Sequence, residues 1–242
     1  MSVALLKCNP VHYSTLPPVL QAGRNAEPSG AIKALESAIG DVFVKHGVEK
    51  ELGIILLHNH FELSPTEMLV QFGNSAVPSQ TAKNPNIANV VPAAWRFVEE
   101  GLAPYEFTYL KSSPAPFLTI EKHGQFLLEL LAVLKELNLT EVLGLVVLDD
   151  KDVNSPPLVE IEAGRSTIAV DVDIALSQRM PGSMSCGSLA LRLVSNKQYL
   201  YPCLLANNDP GPGGKPLVFK KHKIAHKIID GGHGDKHLTT KK

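Results

Sequence analysis

The spacing of apolar positions along the chain predicts two helices and a larger set of short strands. Between Ala31 and Gly47, the residues Ile32, Leu35, Ile39, Val42 and Phe43 recur at helical spacing and form one apolar stripe. Ser29 is placed to cap the start of this helix and Gly47 to end it. A second helix is predicted from Glu121 to Leu137, with Leu127, Leu130, Leu131, Leu134 and Leu137 on its apolar face. Asn138 stands where a left-handed residue closes a helix. The unbroken apolar run Val142 to Leu148 predicts a strand covered on both faces.

The rest reads as strands joined by turns. Gly53–Leu63 and Glu67–Phe72 flank "SPT" and predict one hairpin. "AAWRF" and "YEFTYL" predict another, with Trp95 and Phe97 facing Tyr105, Phe107 and Tyr109 across the strands. "LVEIE" and "TIAVDV" alternate around "AGRS", and "LALRLV" and "QYLYPCLL" flank "SNK". The fold expected is α+β, with antiparallel β-hairpins forming a sheet or open barrel covered by two amphipathic helices. Residues 1–29 read as an irregular N-terminal segment, residues 30–210 as a single α+β domain, and residues 211–242 as a basic, histidine-rich tail. Gln80 to Val90 and "NNDPGPGGKP" read as loops.

Composition narrows the function classes. With 242 residues and a hydrophobic fraction of 44%, the chain has the material for a sizeable core. A formal net charge of -1 gives no overall case for a nucleic-acid or anionic-membrane partner. That balance conceals a tail from Gly211 to Lys242 with a charge of +6, against -7 for the remainder. Cys8, Cys186 and Cys203 are few and odd in number, which fits reduced thiols and a cytoplasmic or nuclear setting. The apolar run Val3 to Leu6 is too short for a secretory signal, and no stretch approaches the length of a membrane span.

The sharpest chemical pattern is "ILLHNHFEL", Ile55 to Leu63. In a strand His58, His60 and Glu62 share one face, opposite Ile55, Leu57, Asn59 and Phe61. Two imidazoles and a carboxylate are a natural set of ligands for a divalent metal such as zinc, iron or manganese. Glu67 joins that face if Glu62 pairs with Glu67 across the turn, and leaves it if Leu63 does. The expected site therefore has His58, His60 and Glu62 as metal ligands, with Glu62 or Glu67 as general base. The bland alternative makes the same residues the wet face of a half-buried hairpin.

In this order Gly53, His58, His60, Glu67 and Gly73 resemble the first motif of the cupins, which implies a small β-barrel with a metal held by histidines and a glutamate. The His60-to-Glu67 gap is longer than the family's, and "PGPGG" with His222 only loosely resembles the second motif, so the chain is not assigned to that family. Asp150 and Asp152, beside Asp149 in "VVLDDKDV", superficially resemble the Asp-x-Asp of haloacid-dehalogenase-like phosphatases, but past the middle of the chain. An acidic turn is the plainer reading.

Other motifs carry less. "GSMSCGS" around Cys186 lacks nucleophile-elbow spacing, and "GPGGKP" lacks P-loop spacing. His222 with His226, and His233 with His237, would share helix faces, but lysines crowd both pairs. Trp95 and Arg96 lack a ribonucleoprotein-type signature around them, so nucleic acid is not an expected partner.

The function expected is a metal-dependent enzyme, of hydrolase or oxygenase type, acting on a small-molecule substrate. The alternatives are a non-catalytic binding or scaffold protein, and a metal-free cyclase or isomerase using His58 as base. The sequence leaves the oligomeric state open.

Overall fold

Eight strands join in one mixed sheet, in the order β1-β6-β4-β5-β2-β3-β8-β7. They are β1 Leu52–Leu56, β2 Glu67–Phe72, β3 Ser75–Gln80, β4 Val90–Val98, β5 Gly101–Tyr109, β6 Leu143–Val147, β7 Leu158–Glu162 and β8 Thr167–Asp171. The structure is a computed structural model, and it describes residues 3–80, 89–110, 120–148 and 158–171.

The sheet curves into a half-barrel. It is not a set of antiparallel hairpins, because β2 runs parallel to β5 through Leu69↔Glu106, Val70↔Phe107 and Gln71↔Thr108. The hairpin expected from Gly53–Leu63 and Glu67–Phe72 does not form. β1 stops at Leu56 and pairs with β6, while β2 turns at Gly73 into β3. Gly73 takes a left-handed φ of 62° there, a conformation that suits glycine. The choice between the two Glu67 registers therefore does not arise.

The β4–β5 hairpin is present. Its aromatics are not opposite one another, however: Trp95 pairs with Pro104, Phe97 with Leu102 and Phe107 with Pro92. The β7–β8 hairpin forms around Gly164. The β6 run is buried from Leu143 to Leu145 and half-buried at Val146 and Val147.

Short helices α1 (Val11–Ser14) and α2 (Val19–Ala26) precede the first predicted helix. That helix is kinked: α3 (Ala31–Ala34) and α4 (Gly40–His46) are joined through Leu35–Ile39, where Ser37 leaves helical geometry. Gly47 ends it at a left-handed φ of 64°. At its start the Ala31 N–H donates to the Ser29 hydroxyl at 3.3 Å.

The second helix is a 3₁₀ turn, Ile120–His123, followed by α5 (Gly124–Glu136), and Asn138 is left-handed at φ 56°. Leu127, Leu130 and Leu134 are buried as expected, but Leu137 is exposed because the helix has ended one residue earlier. Buried residues of these helices share one core with β1, β4 and β6, from Leu35, Ile39 and Phe43 through Phe126 and Leu130 to Ile54, Phe97 and Leu145. A second apolar cluster, of Tyr13, Leu16, Leu57, Leu63, Leu69, Ala94 and Tyr105, lies beside the histidine segment.

The loop Gln80–Val90 is outside the described residues from 81 to 88. So are Asp149, Asp150, Asp152, the "LALRLV"/"QYLYPCLL" hairpin, Cys186, Cys203 and the tail with His222, His226, His233 and His237.

Candidate metal centre

The chain stays extended beyond β1 because the N-terminal segment holds it. Pro18 and Asn59 form a parallel bridge. The Asn59 N–H donates to the Pro17 carbonyl, and the Val19 N–H donates to the Asn59 carbonyl. Pinning Asn59 on one side turns its two neighbours to the other, so His58 and His60 come together without a hairpin partner. Their rings meet edge to face, 4.8 Å between centroids. Both are nearly sealed from solvent, with side-chain exposures of 2% and 3%.

Each ring is held by its Nδ1. The His58 Nδ1–H donates to the Leu56 carbonyl at 2.7 Å, and the His60 Nδ1–H donates to Glu162 Oε1 at 3.0 Å. Both Nε2 atoms are thereby aimed at one point. They lie 3.1 Å apart. Glu160 Oε2 completes the group, 2.9 Å from His60 Nε2 and 3.8 Å from His58 Nε2. Fixing the far nitrogen of an imidazole with a carbonyl or carboxylate is how proteins orient metal-binding histidines.

The spacing admits an ion. A triangle with edges of 3.1, 2.9 and 3.8 Å has a circumscribed radius of about 1.9 Å. That is close to metal–nitrogen bond lengths of about 2.0–2.1 Å, so these three residues could hold a divalent ion, which would supply Lewis acidity there. Among the described residues His58, His60 and Glu160 are the one group whose ligand atoms converge in this way.

Glu62 is exposed and outside this group; its backbone carbonyl accepts from Arg165. Glu67 is also elsewhere. Its carboxylate accepts from Arg165 at 2.5 and 3.3 Å and from the Ser64 N–H at 2.9 Å. Arg165, then Ser64, hold its carboxyl down at about 2 against the opposing effect of burial.

Two further acids, Glu162 and Glu106, belong to the site beside Glu160. Glu160 and Glu162 are alternate residues of β7, so the pleat gives them one face. Glu106 from β5 is half-buried, and burial and then the Glu160 charge push its carboxyl up to about 7, against the pull of both imidazoles. Burial opposes the charged form of His60, yet its hydrogen bonds to Glu160 and Glu162 raise it to about 10. Burial likewise opposes the Glu160 carboxylate, and its contacts with His58 and His60 still hold it well below the usual range. Without a metal, His60 therefore carries a proton that a bound cation must displace.

Two phenols border the cluster. The Tyr13 hydroxyl accepts from the His60 N–H at 3.1 Å. The Tyr105 hydroxyl is buried with no hydrogen-bond partner among the described residues. Burial and the charges of Glu106 and Glu160 keep it protonated.

The sequence carried signals for these missed residues. Glu106 interrupts the apolar strand "YEFTYL", where an acid is out of place unless something nearby stabilises it. Glu160 and Glu162 alternate with Val159 and Ile161, a pattern equally suited to a wet strand face. No protein-family model, curated protein or solved structure matches this chain.

Proposed function

We propose that the protein is a metal-dependent enzyme acting on a small molecule, with His58, His60 and Glu160 as ligands of a divalent zinc, iron or manganese ion. One observation carries this reading. Two buried imidazoles, each pinned through Nδ1, direct Nε2 at a shared point with a carboxylate oxygen. In such a set the ion supplies Lewis acidity for hydrolysis, or a redox centre if it is iron.

The chain's own groups divide the remaining work. Glu162 holds His60 in one tautomer and one orientation. Glu106 takes the part of proton acceptor that the sequence suggested for Glu62 or Glu67, since Glu67 is committed to Arg165 and Glu62 faces solvent. Tyr105 offers a buried O–H to an acceptor on the substrate.

A second reading has its own support. The raised His60 makes an imidazolium between Glu160 and Glu162, which by itself would tie two ends of the sheet together without any metal.

Elemental analysis of untagged full-length protein separates the two. The His58→Ala, His60→Ala double variant is expected to lose about one equivalent of metal per chain, the stoichiometry of a single three-ligand site. The pair of variants also corrects for metal held by the other histidines. Equal metal content in both proteins would reject the enzyme reading and leave the ion-pair reading.

A further inference from the structure

The third ligand comes from the last strand in the sheet order, while the histidines follow the first. Glu160 is therefore only as well placed as the β7–β8 hairpin that carries it. Among the described residues that hairpin has few backbone ties to the sheet: its two strands share five residue pairs with each other, but β8 meets β3 through Ser75↔Ile168 and Ala76↔Thr167 alone. One further backbone bond runs from the Ala169 N–H to the Asn74 carbonyl. Among the described residues β7 has no strand on its outer side.

Over residues 58–67, polar contacts among the described residues hold the hairpin. In mid-strand, Glu160 and Glu162 reach His60. At the tip Arg165, in the turn between β7 and β8, grips both carboxylate oxygens of Glu67 and the Glu62 carbonyl. Its guanidinium also lies 5.9 Å from the centroid of the Phe61 ring. The Glu67 carboxylate is itself fixed by the Ser64 N–H, so Arg165 closes on a rigid acceptor.

We propose that the Arg165–Glu67 pair is a latch that positions Glu160, so that metal binding and closure of the β7–β8 hairpin are one equilibrium. The proposal rests on the metal reading above. Arg165 touches none of the three ligands and acts only through the strand it anchors. With the latch open, the fraction of molecules offering three ligands falls, and apparent metal affinity falls in proportion. Linkage makes the effect reciprocal, because an ion bound to Glu160 holds the hairpin shut.

The test is a zinc titration of the full-length protein, with the His58→Ala, His60→Ala variant as background. Arg165→Ala is expected to weaken zinc binding about tenfold, the scale of losses at groups that orient metal ligands. Glu67→Gln should weaken it comparably. Combining the two should cost no more than either alone, since each opens the same latch. Arg165→Lys should recover part of the loss, because a single ammonium contact replaces the fork.

Hydrogen exchange supplies a second reading of the same equilibrium. Zinc should slow exchange of amides in residues 158–171 of the wild-type protein. Arg165→Ala should speed it there and leave the β1 and β6 amides unchanged, as fits a side chain that is 54% exposed. Wild-type binding with an unchanged zinc Kd in both Arg165→Ala and Glu67→Gln would overturn the latch alone. Failure of the wild-type protein to bind zinc above the background variant would overturn the metal reading and the latch with it.

Discussion

Tyr13 shows how much of the site depends on single atoms. Its ring is buried in the cluster beside the histidines, and its hydroxyl receives the His60 N–H. Tyr13→Phe removes that acceptor and leaves a half-buried donor unpaired while preserving the packing of the ring. The expected cost is about 1–3 kcal/mol in urea unfolding. A variant as stable as wild type would show that the His60 N–H finds another acceptor. The same reasoning explains why the His58–His60 spacing could be read from sequence and the Glu62 assignment could not. Alternation carries over one residue of extended chain, here pinned at Asn59, but the chain bends after His60 and carries Glu62 into solvent.

At the level of elements, close approach decides which glycines matter. β6 crosses between β1 and β4, and a Cβ at Gly144 would stand 2.5 Å from the Trp95 carbonyl oxygen and 2.7 Å from Leu57. The nearer obstacle is backbone and cannot swing aside. Gly144→Ala is therefore expected to destabilise by about 1–3 kcal/mol. Gly124, in the first turn of α5, has nothing within 4 Å of the same position. Gly124→Ala should instead stabilise by about 0.5–1 kcal/mol through helix propensity. Thermal unfolding of the two variants checks both signs, and a stabilised Gly144→Ala would mean that β4 and β6 are further apart. The helices themselves were legible, since their apolar stripes and their left-handed ends at Gly47 and Asn138 follow from local spacing. The kink at Ser37 was not, because the apolar stripe runs on past it unchanged.

Across the whole molecule, the far ends of the sheet order are joined by charge. His60 makes that link with Glu160 and Glu162. Nearer the middle, Arg165 of the β7–β8 turn pairs with Glu67 of β2, a group whose titration has a clear sign. Its carboxyl is held at about 2 in the folded protein, from an ordinary 4.5, mainly by Arg165. A lowered value means that the folded state favours the carboxylate, so the stabilisation is complete above 4.5 and is lost as pH falls towards 2. Denaturant unfolding of wild-type protein should weaken across that interval. Glu67→Gln should weaken less steeply, and an identical slope in the two proteins would show that the Arg165 contact does not persist in solution. Among the described residues no helix is long and apolar enough to cross a membrane.

By itself the sequence determined the elements whose pattern closes locally: two helices, the β4–β5 and β7–β8 hairpins, and a pair of histidines one residue apart. For the acids it named Glu62 and Glu67, and the structure places both outside the histidine group. Tertiary structure decided the partners. Side-chain alternation records which way a residue faces but not which strand lies beside it, so nothing in "EMLVQF" announces a parallel neighbour in β5. Nor does "LVEIE" announce that curvature will bring Glu160 and Glu162 against His60, about a hundred positions earlier in the chain. The curvature belongs to the sheet as a whole, and the His58–His60–Glu160 group forms only where that curvature makes distant segments meet.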